Sequence, residues 1–194
     1  MTLLWILLAF LLGSLPFSVW LGRLAGVDPR TVGDGNPGTF NIWKLAGWQV
    51  GVPVLVLDFS KGMVPAMLAR QVWNWSGWAL VAVIAAPVLG HAFSPFLRGR
   101  GGKGLATAFG VWTGLTLAEG PLILGAALTV GTLGLRLRDS WVVVLGLLAL
   151  LADLLVRGWP WEAFAVWGIT ALLLAWGYRR NLYLPLRREN RPHA

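Results

Sequence analysis

Long apolar runs alternate with short polar, glycine-rich stretches along the chain. The runs fall near residues 3–21, 48–69, 78–97, 104–118, 120–135, 141–156 and 161–177. A helix needs roughly 20 mostly apolar residues to cross about 30 Å of hydrocarbon. The first three runs meet that length and the fourth to sixth are short. Gly120-Pro121 predicts a break between the fourth and fifth. Continuous apolar runs predict helices, because lipid obliges backbone N–H and C=O groups to pair within their own segment. The expected fold is therefore all-α: a polytopic membrane bundle of about seven transmembrane helices. No basic stretch precedes the first run and no small-residue cleavage pattern follows it, which predicts a retained helix rather than a signal peptide. Trp20, Trp73, Trp75, Trp78, Trp141, Trp159, Trp161 and Trp176 lie at run ends, where interface anchors belong.

Composition narrows the class. Of 194 residues, 57% are hydrophobic and 12% charged, with a mean hydropathy of +0.68. A soluble domain carries about twice that charged fraction. The net charge of +8 would suit nucleic acid, but the charges sit in short loops between apolar runs, so no nucleic acid partner is expected. The absence of Cys excludes disulfides and cysteine-based metal sites. No polar linker divides the chain, which predicts one transmembrane domain over 1–194. Of the 16 Lys and Arg, all but Lys61, Arg70 and Arg157 fall in alternate loops and the C-terminal tail, the latter contributing Arg179, Arg180, Arg187, Arg188 and Arg191. The positive-inside bias then predicts the N-terminus outside and the C-terminus in the cytoplasm.

The unusual residues cluster in those basic loops. Gly90–Thr107 holds Arg98, Arg100 and Lys103 interleaved with Gly99, Gly101, Gly102 and Gly104. Glycines let backbone amides approach a ligand, and a helix starting just beyond adds positive potential. The pattern fits an anion site, or simply a flexible basic loop. It is not a Walker A loop, because Leu97 and Gly104 stand where Gly and Ser/Thr belong. It also lacks the His-x4-Asp dyad of soluble-type glycerolipid acyltransferases, since Phe96 follows His91 at that spacing. The loop at 22–47 carries Gly33, Asp34, Gly35, Asn36, Gly38, Asn41 and Lys44. It is either turn-rich punctuation or a functional loop; its Asn amides suit hydroxyls and Lys44 a phosphate. Asp58 and Lys61 share a helix face inside the second run, as a brace or as part of a site. His91 can act as a packing donor or a general base. Ser140 can act as an N-cap. Tyr178–Asn181 ends the last run with two arginines suited to lipid headgroups.

Three segments resemble the bacterial membrane-integral acyl-phosphate:glycerol-3-phosphate acyltransferases. They are Gly90-His-x-x-x-Pro-Phe-Leu-x-x-x-Gly-Gly-Lys-Gly-Leu-Ala-Thr107, Gly33-x-Gly-Asn-Pro-Gly-x-x-Asn-Ile-x-Lys44 and Leu57-Asp-Phe-Ser-Lys-Gly62. The likeness covers nearly the whole chain. It implies transfer of a fatty acyl group from acyl phosphate to the 1-hydroxyl of sn-glycerol 3-phosphate. Lysophosphatidate and inorganic phosphate are the products, in the first acylation of phospholipid synthesis. It implies no cofactor and no metal, contact with membrane lipid, and an upstream phosphate acyltransferase to supply the donor. The implied location is the bacterial inner membrane, with the site facing the cytoplasm. Asn36, Gly38, Asn41, Arg100, Gly101, Gly102, Lys103 and Gly104 are implied to bind substrate or phosphate. Asp34, Lys44, His91, Ser140, Tyr178 and Asn181 are implied around the chemistry.

The chain departs from the family pattern at four positions. Asp34 replaces Ser, Phe40 replaces Thr, Lys44 replaces Arg and Tyr178 replaces His. Lysine keeps the charge of arginine but loses its bidentate fork. Tyrosine still donates a hydrogen bond but is a poor proton acceptor at neutral pH. The flanks of Ser140 match the family poorly. A paralogue with another acceptor or no activity stays open on these residues, as does a transporter of a small phosphorylated anion. Lys44, Lys103 and Asn181 are expected to converge on one cavity.

Overall fold

All regular elements among residues 1–186, which the computed structural model describes, are helical. They are α1 (Thr2–Ser14), α2 (Phe17–Leu24), α3 (Thr39–Met67), α4 (Gly77–Ala92), α5 (Leu105–Thr116), α6 (Glu119–Thr129), α7 (Asp139–Arg157) and α8 (Trp161–Leu182). Single π-helical turns, Leu68–Val72 and Val130–Gly134, extend α3 and α6. Arg187, Arg188 and Arg191 of the basic tail lie outside the described residues. Among the described residues, four stretches are long and apolar enough to cross a bilayer: Thr2–Leu24, Thr39–Val72, Gly77–Leu97 and Asp139–Arg157. Leu105–Thr116 and Glu119–Gly134 are apolar but shorter.

The first apolar run is two helices rather than one. Proline lacks an N–H and crowds the preceding turn, so Pro16 ends α1, and Leu15 leaves the helix at φ −61° and ψ 120°. The carbonyls freed by the break are taken up across the bundle. Leu15 O accepts from Lys61 Nζ at 3.0 Å, and Ser14 O accepts from Ser94 Oγ at 2.6 Å. Buried carbonyls in a lipid-facing protein need such partners.

Small residues set the two closest helix pairings. A Cβ on Gly110 of α5 would overlap the Phe59 carbonyl of α3, and one on Gly62 of α3 would overlap the Thr107 carbonyl of α5. On the other side, α1 and α4 meet backbone to backbone at Gly13 against Pro87 and at Gly90 against Phe10. Close approach of this kind drives helix association where lipid removes the hydrophobic incentive. The core is built around α4 and α5, with Ile84, Val111, Trp112 and Leu150 fully buried.

Two boundaries differ from expectation. The 22–47 stretch is only partly loop: α2 runs to Leu24, and α3 begins at Thr39. Gly47, at φ 72° and ψ −172°, then breaks α3 just before the second apolar run. Buried Asn41 and Ile42 hold the first part of α3 against the bundle despite its weak helix formers. The break after the fourth run falls at Leu117 (φ 59°) rather than at Gly120-Pro121. Pro121 sits in the first turn of α6, where a missing N–H is harmless.

Candidate active site

A cavity of about 970 Å³ opens between both halves of α3, the 33–38 loop, the ends of α4 and α8, and the start of α5. This volume lies at the upper end of small-molecule sites. Its polar lining includes Asn36, Asp58, Ser60, His91, Lys103 and Tyr178, with Gly38 and Gly104 in the wall. The remainder is apolar, with Phe40, Trp43, Leu55, Val56, Phe59 and Phe109 prominent. Leu55 and Val56 are 42% and 54% exposed on the outer surface of α3, so the apolar wall continues onto the face an apolar helix presents to lipid.

Lys103 is the central cation. Its Nζ meets Asp34 Oδ2 at 2.5 Å and lies 4.4 Å from the centroid of the Tyr178 ring. Gly177 makes this approach feasible, since a Cβ there would crowd the Lys103 backbone. Burial works to raise the Asp34 carboxyl, but the hydrogen bond and charge of Lys103 outweigh it. The carboxyl is held below its ordinary value.

The 33–38 loop that carries Asp34 is organised by Asn41. Asn41 is 4% exposed, and its Nδ2 lies 3.0 Å from Val32 O and Asn36 O, 3.3 Å from Pro29 O and 3.4 Å from Asp34 Oδ1. Asn41 is therefore turned into the loop and does not line the cavity. Ser18 Oγ pins the same loop by donating to Pro37 O at 2.6 Å.

Beneath the site lies a buried charged cluster. Lys61 Nζ is 2.7 Å from Asp58 Oδ1, and His91 Nδ1 is 3.9 Å from the same oxygen. Asp58, Lys61 and His91 are 2%, 3% and 8% exposed, so the Asp58–Lys61 ion pair is held out of solvent with His91 beside it. Asp58 and His91 reach the cavity wall, whereas Lys61 turns away toward the break between α1 and α2.

Gly101 and Gly102 of the basic loop serve packing rather than an open ring of amides. Gly101 N donates to Ala92 O at 3.1 Å and Gly102 N to His91 O at 3.0 Å. Arg98, Gly99 and Arg100 likewise donate to Pro95 O, Ser94 O and Leu97 O. The expected anion nest is thus closed through residue 102, because the loop folds back on the end of α4. A Cβ on Gly102 would overlap the His91 imidazole, and one on Gly101 would overlap the His91 carbonyl.

The expected convergence of three residues holds for Lys103 alone. Lys44 is exposed, with its Nζ 4.5 Å from the centroid of the Phe40 ring. Asn181 is engaged through its carbonyl, which accepts from Ser140 Oγ at 3.1 Å. Neither Lys44 nor Asn181 lines the cavity, nor do exposed Arg100 and buried Ser140. Lys44 follows Phe40 by one turn of α3, and its side chain lies along that exposed ring instead of entering the cavity. Sequence reasoning missed the aromatic wall. Phe40 and Trp43, three apart on a helix, were the available signal.

The sequence pattern of the family described as glycerol-3-phosphate acyltransferase is matched by residues 3–186. The chain is 43% identical to glycerol-3-phosphate acyltransferase 1 of Thermotoga maritima, over 75% of this chain and 77% of that one. It is 37% identical to glycerol-3-phosphate acyltransferase 1 of Deinococcus radiodurans, over 93% of this chain and 89% of that one. Among solved structures it resembles PlsY (YgiH), an integral membrane glycerol 3-phosphate acyltransferase, in its glycerol 3-phosphate form. That likeness has a TM-score of 0.84 at 33% identity, covering 93% of this chain and 90% of the other. The lysophosphatidic acid form of the same enzyme gives a TM-score of 0.83.

Proposed function

The chain belongs to the glycerol-3-phosphate acyltransferase family, and from that premise we propose that its acyl donor is an acyl phosphate. It is an integral membrane enzyme that acylates glycerol 3-phosphate to lysophosphatidate, a step of phospholipid synthesis. With an acyl phosphate donor, the 1-hydroxyl oxygen bonds to the acyl carbonyl carbon. The bond from the carbonyl carbon to the phosphate oxygen breaks, inorganic phosphate leaves with the electron pair, and the hydroxyl proton ends on that phosphate.

One observation supports this reading best: a single cavity joins a lysine at its polar end to a long apolar wall open toward lipid. A donor with a charged head and a fatty tail fits both parts at once. Lys103 faces the charge on the leaving phosphate, and Asn36, Gly38 and Gly104 flank it. The acyl phosphate is already activated, so holding the reactants together and meeting developing charge can supply much of the rate. Tyr178 carries Lys103 on its ring. Asn41 shapes the loop, while Ser140 and Asn181 tie α7 to α8 behind it. Exposed Lys44 and Arg100 add positive potential that draws anionic substrates in.

The charge bias of the loops supports a seven-span bundle over residues 1–194, with the N-terminus outside and the C-terminus cytoplasmic. The cavity then faces the cytoplasm across a bacterial inner membrane, where an upstream phosphate acyltransferase supplies the donor. The test uses purified protein in detergent with palmitoyl phosphate and glycerol 3-phosphate. Both lysophosphatidate and inorganic phosphate are expected, and Lys103→Ala, still folded, is expected to lose at least tenfold in rate. No product from folded wild-type protein would overturn the donor assignment.

A further inference from the structure

Lys103 already has an anion. Asp34 Oδ2 sits 2.5 Å from its ammonium, and the Lys103 and Asp34 side chains are 17% and 38% exposed. The carboxylate is also held from behind. Asp34 Oδ1 accepts from the Asn36 amide at 3.2 Å and from Asn41 Nδ2 at 3.4 Å. The loop therefore aims one carboxylate at one ammonium. The Tyr178 ring covers another side of that ammonium, which narrows the directions from which a second anion can reach it.

A carboxylate oxygen and a phosphate oxygen make the same charge-assisted contact with an ammonium. Two anions at one cation also repel each other at short range. A phosphate arriving at Lys103 must therefore displace Asp34 or bear its charge. Gly33 and Gly35, both at positive φ (60° and 71°), flank Asp34, so the carboxylate lies on the part of the backbone with the widest conformational choice. We propose that Asp34 is a tethered competitor: its carboxylate holds Lys103 and must be displaced by the phosphate of a substrate, which makes Asp34 a determinant of phosphate affinity. The proposal rests on Lys103 being the phosphate ligand, as argued above. Both substrates carry a phosphate, so either can be the displacing group.

Inorganic phosphate is the first probe, titrated into the detergent-solubilised full chain and followed by calorimetry, with no turnover required. Asp34→Asn keeps the Oδ1 contacts, and Asp34→Ser removes the reach to Lys103, so a folding defect in one leaves the other usable. Both are expected to bind phosphate roughly two- to fivefold more tightly than wild type, the range expected for loss of a part-exposed ion pair. Lys103→Ala should abolish binding. In steady state, the KM of the substrate whose phosphate displaces Asp34 should fall by a similar factor. A fall for glycerol 3-phosphate alone or for palmitoyl phosphate alone identifies that substrate. Unchanged or weaker phosphate binding in both Asp34 variants, with Lys103→Ala still abolishing it, would sink the competitor reading and leave the phosphate site standing. A kcat loss beyond tenfold with unchanged phosphate affinity would also overturn it, making Asp34 a proton acceptor. Phosphate binding that survives Lys103→Ala would instead remove the parent assignment of Lys103.

Discussion

At the level of single residues, the buried pair of Asp58 and Lys61 carries a large energetic commitment. Both lie almost wholly out of solvent at 2.7 Å, and Lys61 also reaches the Leu15 carbonyl. Removing one partner of such a pair leaves an uncompensated charge, at a cost of about 3–5 kcal/mol. Lys61→Met should therefore lower thermal stability sharply in detergent. Asp58→Leu combined with Lys61→Met should recover part of that loss, since the apolar pair removes both charges together but leaves the Leu15 carbonyl without its donor. A Lys61→Met protein that unfolds within a few degrees of wild type would mean Asp58 is accommodated in another way. The contrast with Asp34–Lys103 is instructive. That pair is part-exposed, and its lysine lines the cavity, so it can open at modest cost.

At the level of elements, contact between α3 and α5 sets the shape of the cavity, because both helices line it. Their approach depends on Gly62 and Gly110, each against a facing carbonyl. Gly110→Ala should push the helices apart and destabilise the protein by roughly 1–3 kcal/mol, as overpacking does, with a fall in the unfolding midpoint. Gly125 in α6 is the control, since a Cβ there meets open space. Gly125→Ala should leave the midpoint unchanged or raise it, by up to about 1 kcal/mol from helix propensity. Equal effects at both sites would show that close packing is not what Gly110 provides. The break at Pro16 is a second element-scale device. It divides one span into two helices and offers its freed carbonyls to Lys61 and Ser94.

At the level of the whole molecule, the cavity end and the opposite end of the bundle differ in chemistry. Asp34, Lys103 and Tyr178 meet at one end, and Ser140 joins Asn181 beside them. The far end of α7 carries the Arg157–Glu119 pair at 2.6 Å, about 28 Å away along a 19-residue helix. The chain has no native Cys, which makes single-cysteine labelling direct. Ser76→Cys, exposed before α4, should react with an impermeant maleimide from the periplasmic side of intact cells. Arg100→Cys, exposed after α4, should react only once the inner membrane is opened. The reverse pattern would invert the orientation, and labelling of both from one side would revise the span count.

The membrane character, the helical class and the family were legible in linear order. Hydrophobic length, loop charge and three short motifs are local properties, so the apolar runs of α4, α7 and α8 appear almost where the sequence puts them. Pro16 shows where that reasoning stopped. A proline within an apolar run announces a break, but which groups take up the freed carbonyls depends on α3 and α4 passing nearby. The basic loop shows it again. Its glycines fit an anion site or a flexible basic loop, and neither reading shows that Gly101 and Gly102 lie against His91. Lys44 and Lys103 looked equivalent as cations, yet one is carried out over Phe40 and the other in over Tyr178. Their difference arises from contacts between elements far apart in sequence. Linear order therefore specifies which helices form and what chemistry they carry, and tertiary packing decides which charges face one another across the cavity.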